Sequence, residues 1–338
     1  MWNPVCDVRH RRSSPPRTVI DMSSIQIVKP EQQTWVPREP EPAQAPAGAA
    51  QPHIARILLR ACRPRQWSKN LLLLAAPAAA GVIAVGSVGR DVAAAIVAFC
   101  LLSSATYLLN DVRDRDQDRV HPVKRLRPIA AGQLSPRAAL GLAAALGICG
   151  LALAAAVRLE LAAVGCAYLA LTASYSLWWR RVILLDIVAV AGCFVVRAVA
   201  GGVAADVPLS RWFLVVTSCC AVFVVAGKRH AELVDGARPA LTRTALRRYS
   251  TPVLRAVLAA AAGGGLIAYA IWAFRRPEHG PWYEVSIVPF AIWLGRYAVL
   301  LHRGDGEAPE ELILHDWALL LLSLAWTVLF LCGIYVGR

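Results

Sequence analysis

The stretch VAAAIVAFCLLSSATYLLNDVRDRDQD, Val92 to Asp118, decides how this chain is read. Val92–Leu109 carries no charge, whereas Asn110–Asp118 carries Asp111, Asp114, Asp116 and Asp118 interleaved with Arg113 and Arg115. An apolar run of about 20 residues matches the thickness of the hydrocarbon layer. An abrupt change to carboxylates at its end reads as a membrane helix emerging at a polar surface.

The same apolar pattern recurs in both directions. Nine segments are expected, near 70–88, 91–110, 137–156, 159–178, 182–204, 211–227, 251–274, 283–301 and 315–336. Several are rich in Ala and Gly, as at Ala138–Ala156 and Ala259–Gly265. Small residues let membrane helices pack closely where hydrophobicity gives no drive to associate. Composition agrees: 57% of the 338 residues are hydrophobic and only 17% charged, where a soluble domain has about one quarter charged. The fold class is therefore all-α, a polytopic membrane protein with nine transmembrane helices in the domain 53–338.

Residues 1–52 are different. They are rich in Pro, Arg, Gln and Ala and hold no apolar stretch, so a disordered N-terminal extension is expected, without the apolar core of a signal peptide. The only methionines are Met1 and Met22, which marks residues 1–21 as an upstream extension and Met22 as a candidate start.

The net charge of +14 would suggest nucleic acid in a soluble domain. Here the cations lie in short segments between apolar runs, so nucleic acid is excluded as a partner. Arg56, Arg60, Arg63, Arg65 and Lys69 precede the first segment; Arg113 to Arg137 fill the second-to-third loop; Arg180 and Arg181, then Lys228 to Arg248, then Arg303 follow in every second connection. The alternate connections hold only Arg90, Arg158, Arg211, Arg275 and Arg276. Positive charge stays on the cytoplasmic side, which places the N-terminus and the acidic motif in the cytoplasm and the C-terminus outside. The nine cysteines lie mostly inside apolar runs and form no CxxC pair, so they read as small buried residues rather than a metal or disulfide framework.

If the second helix continues past the membrane, Asn110, Asp114, Asp118 and Asp111 fall at about 0°, 40°, 80° and 100° around it, and Asp116 at about 240°. Four oxygen-bearing side chains then share one face. Clustered carboxylates repel one another unless a cation neutralises them, and Mg²⁺ takes oxygen ligands and bridges carboxylates to substrate phosphates. A solvated helix end is the plain alternative. The following His121-Pro-Val-Lys-Arg-Leu-Arg-Pro128 offers three cations between two prolines. They can serve as a phosphate clamp, or as topological charge alone. A second polar stretch, Gly227-Lys-Arg-His-Ala-Glu-Leu-Val-Asp235, puts Lys228, Arg229, Glu232 and Asp235 within about 120° of one helical face, which suits a metal–diphosphate. Asp186 and Arg197, eleven residues apart in the fifth segment, share a face; a structural pair or a contact to an anionic substrate are both open.

These residues resemble a known family. Asn110-Asp111-x-x-Asp114-x-x-x-Asp118, the helix count and the second polar loop are similar to the UbiA superfamily of intramembrane prenyltransferases. Within it, Arg63–Asn70, Tyr107–Asp114, His121–Pro128, Arg197–Val203 and Gly227–Leu233 look like the decaprenyl-phosphate phosphoribosyltransferase branch, over residues 55–338. The resemblance implies a UbiA-like helical bundle and Mg²⁺-dependent transfer of 5-phosphoribose from phosphoribosyl pyrophosphate to a polyprenyl (decaprenyl) phosphate lipid in the cell membrane, for arabinan cell-wall precursor synthesis. It implies Asp111, Asp114 and Asp118 as catalytic residues. The metal would be held by these, Asn110 and Glu232. Substrate would be bound by Lys69, Tyr107, Asn110, Lys124, Arg125, Arg127, Arg197, Lys228 and Arg229. A homo-oligomer is left open. Ordinary superfamily members carry a second Asp-rich motif where this chain has Lys228, Arg229 and Glu232, which suits a donor with an extra 5-phosphate. Two rivals stand beside this reading: a prenyl-diphosphate enzyme with an aromatic or quinone-precursor acceptor, and a transporter. A transporter predicts charges near helix middles, whereas most here flank the helices on one side.

Residues 1–52 have no apolar content with which to fold. A shortened chain beginning at His53 is therefore expected to insert and keep its activity; loss of activity at normal membrane levels would reject this.

Overall fold

The computed structural model describes residues 54–179, 182, 184–234, 250–276, 280–303 and 309–336. Residues 1–52, Arg180, Arg181 and the span from Asp235 to Arg248 lie outside the described residues. Among the described residues the structure is helical, with no strand. Eight helices are long and apolar enough to cross a membrane: α3 (Gly86–Arg113), α5 (Pro136–Val157), α6 (Leu159–Leu177), α7 (Leu185–Ala204), α8 (Arg211–Val234), α9 (Thr251–Phe274), α10 (Trp282–Arg303) and α12 (Trp317–Tyr335). They coincide with the second to ninth expected segments. Short helices α1 (Ile54–Cys62), α2 (Ala75–Ala79), α4 (Arg115–Arg119) and α11 (Pro309–His315) complete the chain.

The first expected segment, 70–88, is not one long helix, and among the described residues eight helices of spanning length stand where nine are expected. Its place is taken by α1, a 3-10 helix over Pro64–Leu74, and α2. The reason is local. Pro64 opens the 3-10 stretch, Pro77 sits inside α2, and Gly81 takes a left-handed φ of 70°. Proline and left-handed glycine interrupt a regular helix. The broken segment still runs antiparallel to α3 along its length. Ile57 and Ala61 pack with Ala105 and Leu108; the Trp67 indole N–H donates to Ser104 Oγ at 3.1 Å; the Asn70 amide donates to Ser103 Oγ at 3.4 Å; and Leu73 joins Phe99 and Leu102 in one cluster. Three residues per turn stack positions i and i+3, so Trp67, Asn70 and Leu73 form a single row against the bundle.

The bundle has two large apolar clusters. One holds Val92, Phe99, Leu102, Leu161, Tyr168, Ala200 and Ala204, from α3, α6 and α7. The other holds Ile187, Ala191, Phe223, Leu258, Leu294, Tyr297 and Leu319, from α7 to α10 and α12. Helix α7 joins them, one end in each. Along α3, the buried residues Val92, Ala95, Phe99, Leu102, Ala105 and Leu108 recur every three or four positions, and the next on that stripe is Asp111, also buried. The helical repeat that builds the core thus carries a carboxylate to its polar end.

Close approach depends on Gly201. A Cβ there would lie 1.8 Å from the Leu73 carbonyl oxygen, a backbone atom that cannot rotate away. Gly201→Ala is expected to destabilise the protein at or above the upper end of the roughly 1–3 kcal/mol typical of overpacking, read as a lowered Tm in detergent. An unchanged Tm would reject this contact as a constraint.

Candidate active site

The C-terminus of α3, the C-termini of α6 and α8, the N-terminus of α7 and the 119–134 loop meet at one end of the bundle. Helix α3 stops at Arg113, Asp114 takes φ −89° and ψ 7°, and α4 resumes at Arg115. This small break keeps Asp111 and Asp118 on related faces. The loop then folds back onto them. Ile129, Leu134 and Ala139 pack with Ala105 and Leu108 of α3 and Ile57 and Ala61 of α1. Arg127, before Pro128, is extended (φ −67°, ψ 142°), as a residue preceding proline prefers. Its side chain turns inward. Arg127 Nη1 donates to Asp111 Oδ1 at 3.1 Å and to Asp118 Oδ2 at 2.6 Å.

Arg63 also donates to Asp111 Oδ1, and its guanidinium lies over the Tyr107 ring, 5.0 Å from the centroid. Both carboxylates are buried, while the Arg63 and Arg127 side chains keep 25% and 28% of their surface exposed. Removing one partner of a buried ion pair typically costs roughly 3–5 kcal/mol, so this cluster holds the loop in place.

The other expected residues fall as follows. Asn110 Oδ1 accepts from Ser176 Oγ of α6 at 2.7 Å, and Arg113 donates to the Ser176 carbonyl. Asp114 sits half-buried at the helix break, whereas the Asp116 side chain is 92% exposed, pointing away as its helical angle predicts. Lys69 is half-buried; Lys124 and Arg125 are exposed on the loop. Arg229 of α8 forks onto Asp186 of α7, Nε to Oδ2 at 2.6 Å and Nη2 to Oδ1 at 3.3 Å, and Nη1 reaches Glu232 at 2.8 Å. The Tyr175 hydroxyl donates to Asp186 Oδ1 at 2.9 Å. Lys228 is half-buried beside this cluster. Asp186 therefore pairs with a neighbouring helix and not with Arg197. Buried Arg197 lies deeper, donating to Asn70 Oδ1 (2.8 Å), the Cys193 carbonyl (2.9 Å) and the Tyr168 hydroxyl (2.9 Å), with its guanidinium 4.7 Å over the Tyr168 ring.

Sequence reasoning missed Arg63, Tyr175 and Ser176. Arg63 belongs to the Arg63–Asn70 stretch that carries the family likeness but was counted only as topological charge. Tyr175 and Ser176 had no signal, since they end an apolar helix.

Among the described residues no group of three His, Cys, Asp or Glu side chains stands ready as a metal cage. The pair Asp111–Asp118 nevertheless fits a hard cation. One cationic nitrogen, Arg127 Nη1, already lies within 3.1 Å of both carboxylates, so the pair accepts positive charge. Among the described residues, Asp111 Oδ2 and Asp118 Oδ1 accept no hydrogen bond. Mg²⁺ commonly takes one or two carboxylates and completes its shell with water and substrate phosphates.

Residues 71–324 match the UbiA prenyltransferase family. The chain belongs to this family. It is 43% identical over 293 residues to the decaprenyl-phosphate phosphoribosyltransferase of Corynebacterium glutamicum, covering 84% of this chain and 88% of that one. It is 42% identical over 278 residues to the Mycobacterium tuberculosis protein of the same name, covering 80% and 91%. A UbiA homolog from Archaeoglobus fulgidus, solved bound to GPP and Mg²⁺, shares the fold with a TM-score of 0.64 at 18% identity, over 83% of this chain and 99% of that one.

In this UbiA family member, burial separates the four aspartates of the motif. Asp118→Asn and Asp114→Asn are expected to lose most turnover and to weaken metal dependence, while Asp116→Asn stays near wild type. Equal loss at all three, in protein that still folds, would reject the face assignment.

Proposed function

We propose that the protein transfers 5-phosphoribose from phosphoribosyl pyrophosphate to a polyprenyl phosphate, decaprenyl phosphate by analogy with its relatives, and releases pyrophosphate. The observation that carries this reading is the basic 119–134 loop folded over two buried aspartates at the polar end of a membrane bundle. It gathers carboxylates for a cation and cations for phosphates at one place. Identity above 40% to two phosphoribosyltransferases of this name over most of each chain supports the same reaction.

In the reaction the donor's C1–O bond breaks, a bond forms from C1 to an oxygen of the acceptor phosphate, and the electron pair leaves with pyrophosphate. Asp111 and Asp118, with Asn110 and Asp114 beside them, would hold Mg²⁺, which when bound supplies charge stabilisation for the leaving diphosphate. Glu232, which accepts from Arg229 at 2.8 Å, is the further metal-ligand candidate on the second polar stretch. Arg127, Lys124 and Arg125 reach the donor's anionic groups from the loop, the exposed pair being suited to the 5-phosphate. Lys69, Tyr107, Lys228, Arg229 and Arg197 line the approach or order its walls. The acceptor phosphate is already an anion, so no strong base is required. The apolar helices keep the polyprenyl chain in the bilayer and leave its head at the polar end.

Topology follows from the same cluster. The cations gather at the site end, which is assigned to the cytoplasm. The broken segment runs antiparallel to α3 from Leu108 to Phe99 and would supply a ninth crossing, which would put the C-terminus outside. The product would feed arabinan precursor synthesis.

The test is direct. Purified protein, labelled phosphoribosyl pyrophosphate, decaprenyl phosphate and Mg²⁺ should give a labelled lipid, and chelation should abolish it. Transfer from geranyl diphosphate to an aromatic acceptor instead would overturn the reading. Lys124→Ala should raise the KM for donor about ten- to a hundredfold, the loss of one charge-assisted hydrogen bond, and leave the KM for lipid little changed. An unchanged donor KM would leave Lys124 a topological charge only.

A further inference from the structure

Asp111 Oδ1 receives two guanidiniums, from Arg63 and from Arg127, while Oδ2 accepts none among the described residues. Two cations on one oxygen exceed what a single carboxylate needs. Arg127 has a second carboxylate in Asp118; among the described residues, Asp111 is the only acid that Arg63 touches. Arg63 is also one of the few non-glycine residues with a positive φ among the described residues. Its φ and ψ are 54° and 62°, a left-handed conformation that residues other than glycine rarely adopt, and such conformations cluster at functional sites. It stands where α1 ends and the 3-10 helix begins, fixed below by the Trp67, Asn70 and Leu73 row. Its side chain remains one-quarter exposed, and the Tyr107 ring supports the guanidinium from one side.

We propose that Arg63 neutralises Asp111 in the metal-free enzyme and binds the donor's diphosphate through its guanidinium when the cation takes Asp111. This rests on the reading of the site as a metal–diphosphate centre. The physical basis is competition for one carboxylate. A divalent cation on Asp111 displaces a monovalent one from the same oxygen. The released guanidinium, still supported by the Tyr107 ring, turns its planar fork to the neighbouring anion, for which that geometry is suited. Arg63 thereby links the two ligands: it opposes the metal alone and favours metal with diphosphate.

That linkage has a sign that an inert structural ion pair does not share. The full chain in nanodiscs is titrated with Mn²⁺, an oxygen-seeking stand-in for Mg²⁺ that electron paramagnetic resonance detects, and then with pyrophosphate at saturating Mn²⁺. Arg63→Gly suits the left-handed backbone and removes the guanidinium, while Arg127 still donates to Asp111. It is expected to bind Mn²⁺ alone about tenfold more tightly than wild type, and pyrophosphate about ten- to a hundredfold more weakly, each the effect of one charge-assisted hydrogen bond. Arg63→Lys keeps the charge without the fork; it should leave Mn²⁺ affinity near wild type and still weaken pyrophosphate. Unchanged or weaker Mn²⁺ binding in Arg63→Gly overturns the proposal, as does unchanged pyrophosphate binding in both variants. Wild-type protein that binds Mn²⁺ and pyrophosphate yet transfers no phosphoribose to polyprenyl phosphate sinks the proposed reaction and leaves the role of Arg63 standing.

Discussion

A carboxylate on the core-facing stripe of a membrane helix has to be neutralised, because neither lipid nor packed side chains solvate it. Asp111 is in that position. The repeat that buries Leu102, Ala105 and Leu108 buries it as well. Much of the polar end follows from this one constraint. The 119–134 loop returns to α3 so that Arg127 reaches Asp111 and Asp118. The junction of α1 and the 3-10 helix lies beside Tyr107, so that Arg63 reaches Asp111. Neutralisation by arginine rather than by an apolar replacement leaves a centre that exchangeable ligands can enter.

The second ionic cluster is tied to the first through the last turn of α6. Ser176 engages Asn110 and Arg113 of α3, and the adjacent Tyr175 engages Asp186, which holds Arg229. Two consecutive side chains thus connect the acidic motif to the polar end of α8. Buried hydrogen-bonded networks of this kind hold a specific arrangement because each group left without its partner carries a large penalty.

Most of the helices could be read from the chain, because continuous apolar runs of about 20 residues have few alternatives in a membrane. The outward position of Asp116 was legible for a similar reason. Helical angles persist across the small break at Asp114, so residue spacing translated into direction. The first segment was not legible in this way. Its apolar content announces a membrane element, but Pro64, Pro77 and Gly81 decide that the element is broken. The ion pairs were also hidden. Arg63 lies 48 residues from Asp111, Arg229 lies 43 from Asp186, and Arg197 lies 127 from Asn70. Such partners are chosen by how helices pack, and no local pattern announces them.

The 3-10 stretch has one further consequence. It rises about 2.0 Å per residue rather than 1.5 Å and repeats every three. Leu73 is pinned against Gly201 at its far end, and Arg63 stands ten residues back, roughly 20 Å away along that axis. The stretch behaves as a ruler graduated in threes. The height of Arg63 above the bundle is fixed by counting residues from a distant anchor, not by what Arg63 itself touches. Adding or removing one residue would move its zero mark by a third of a turn and take every graduation out of line together.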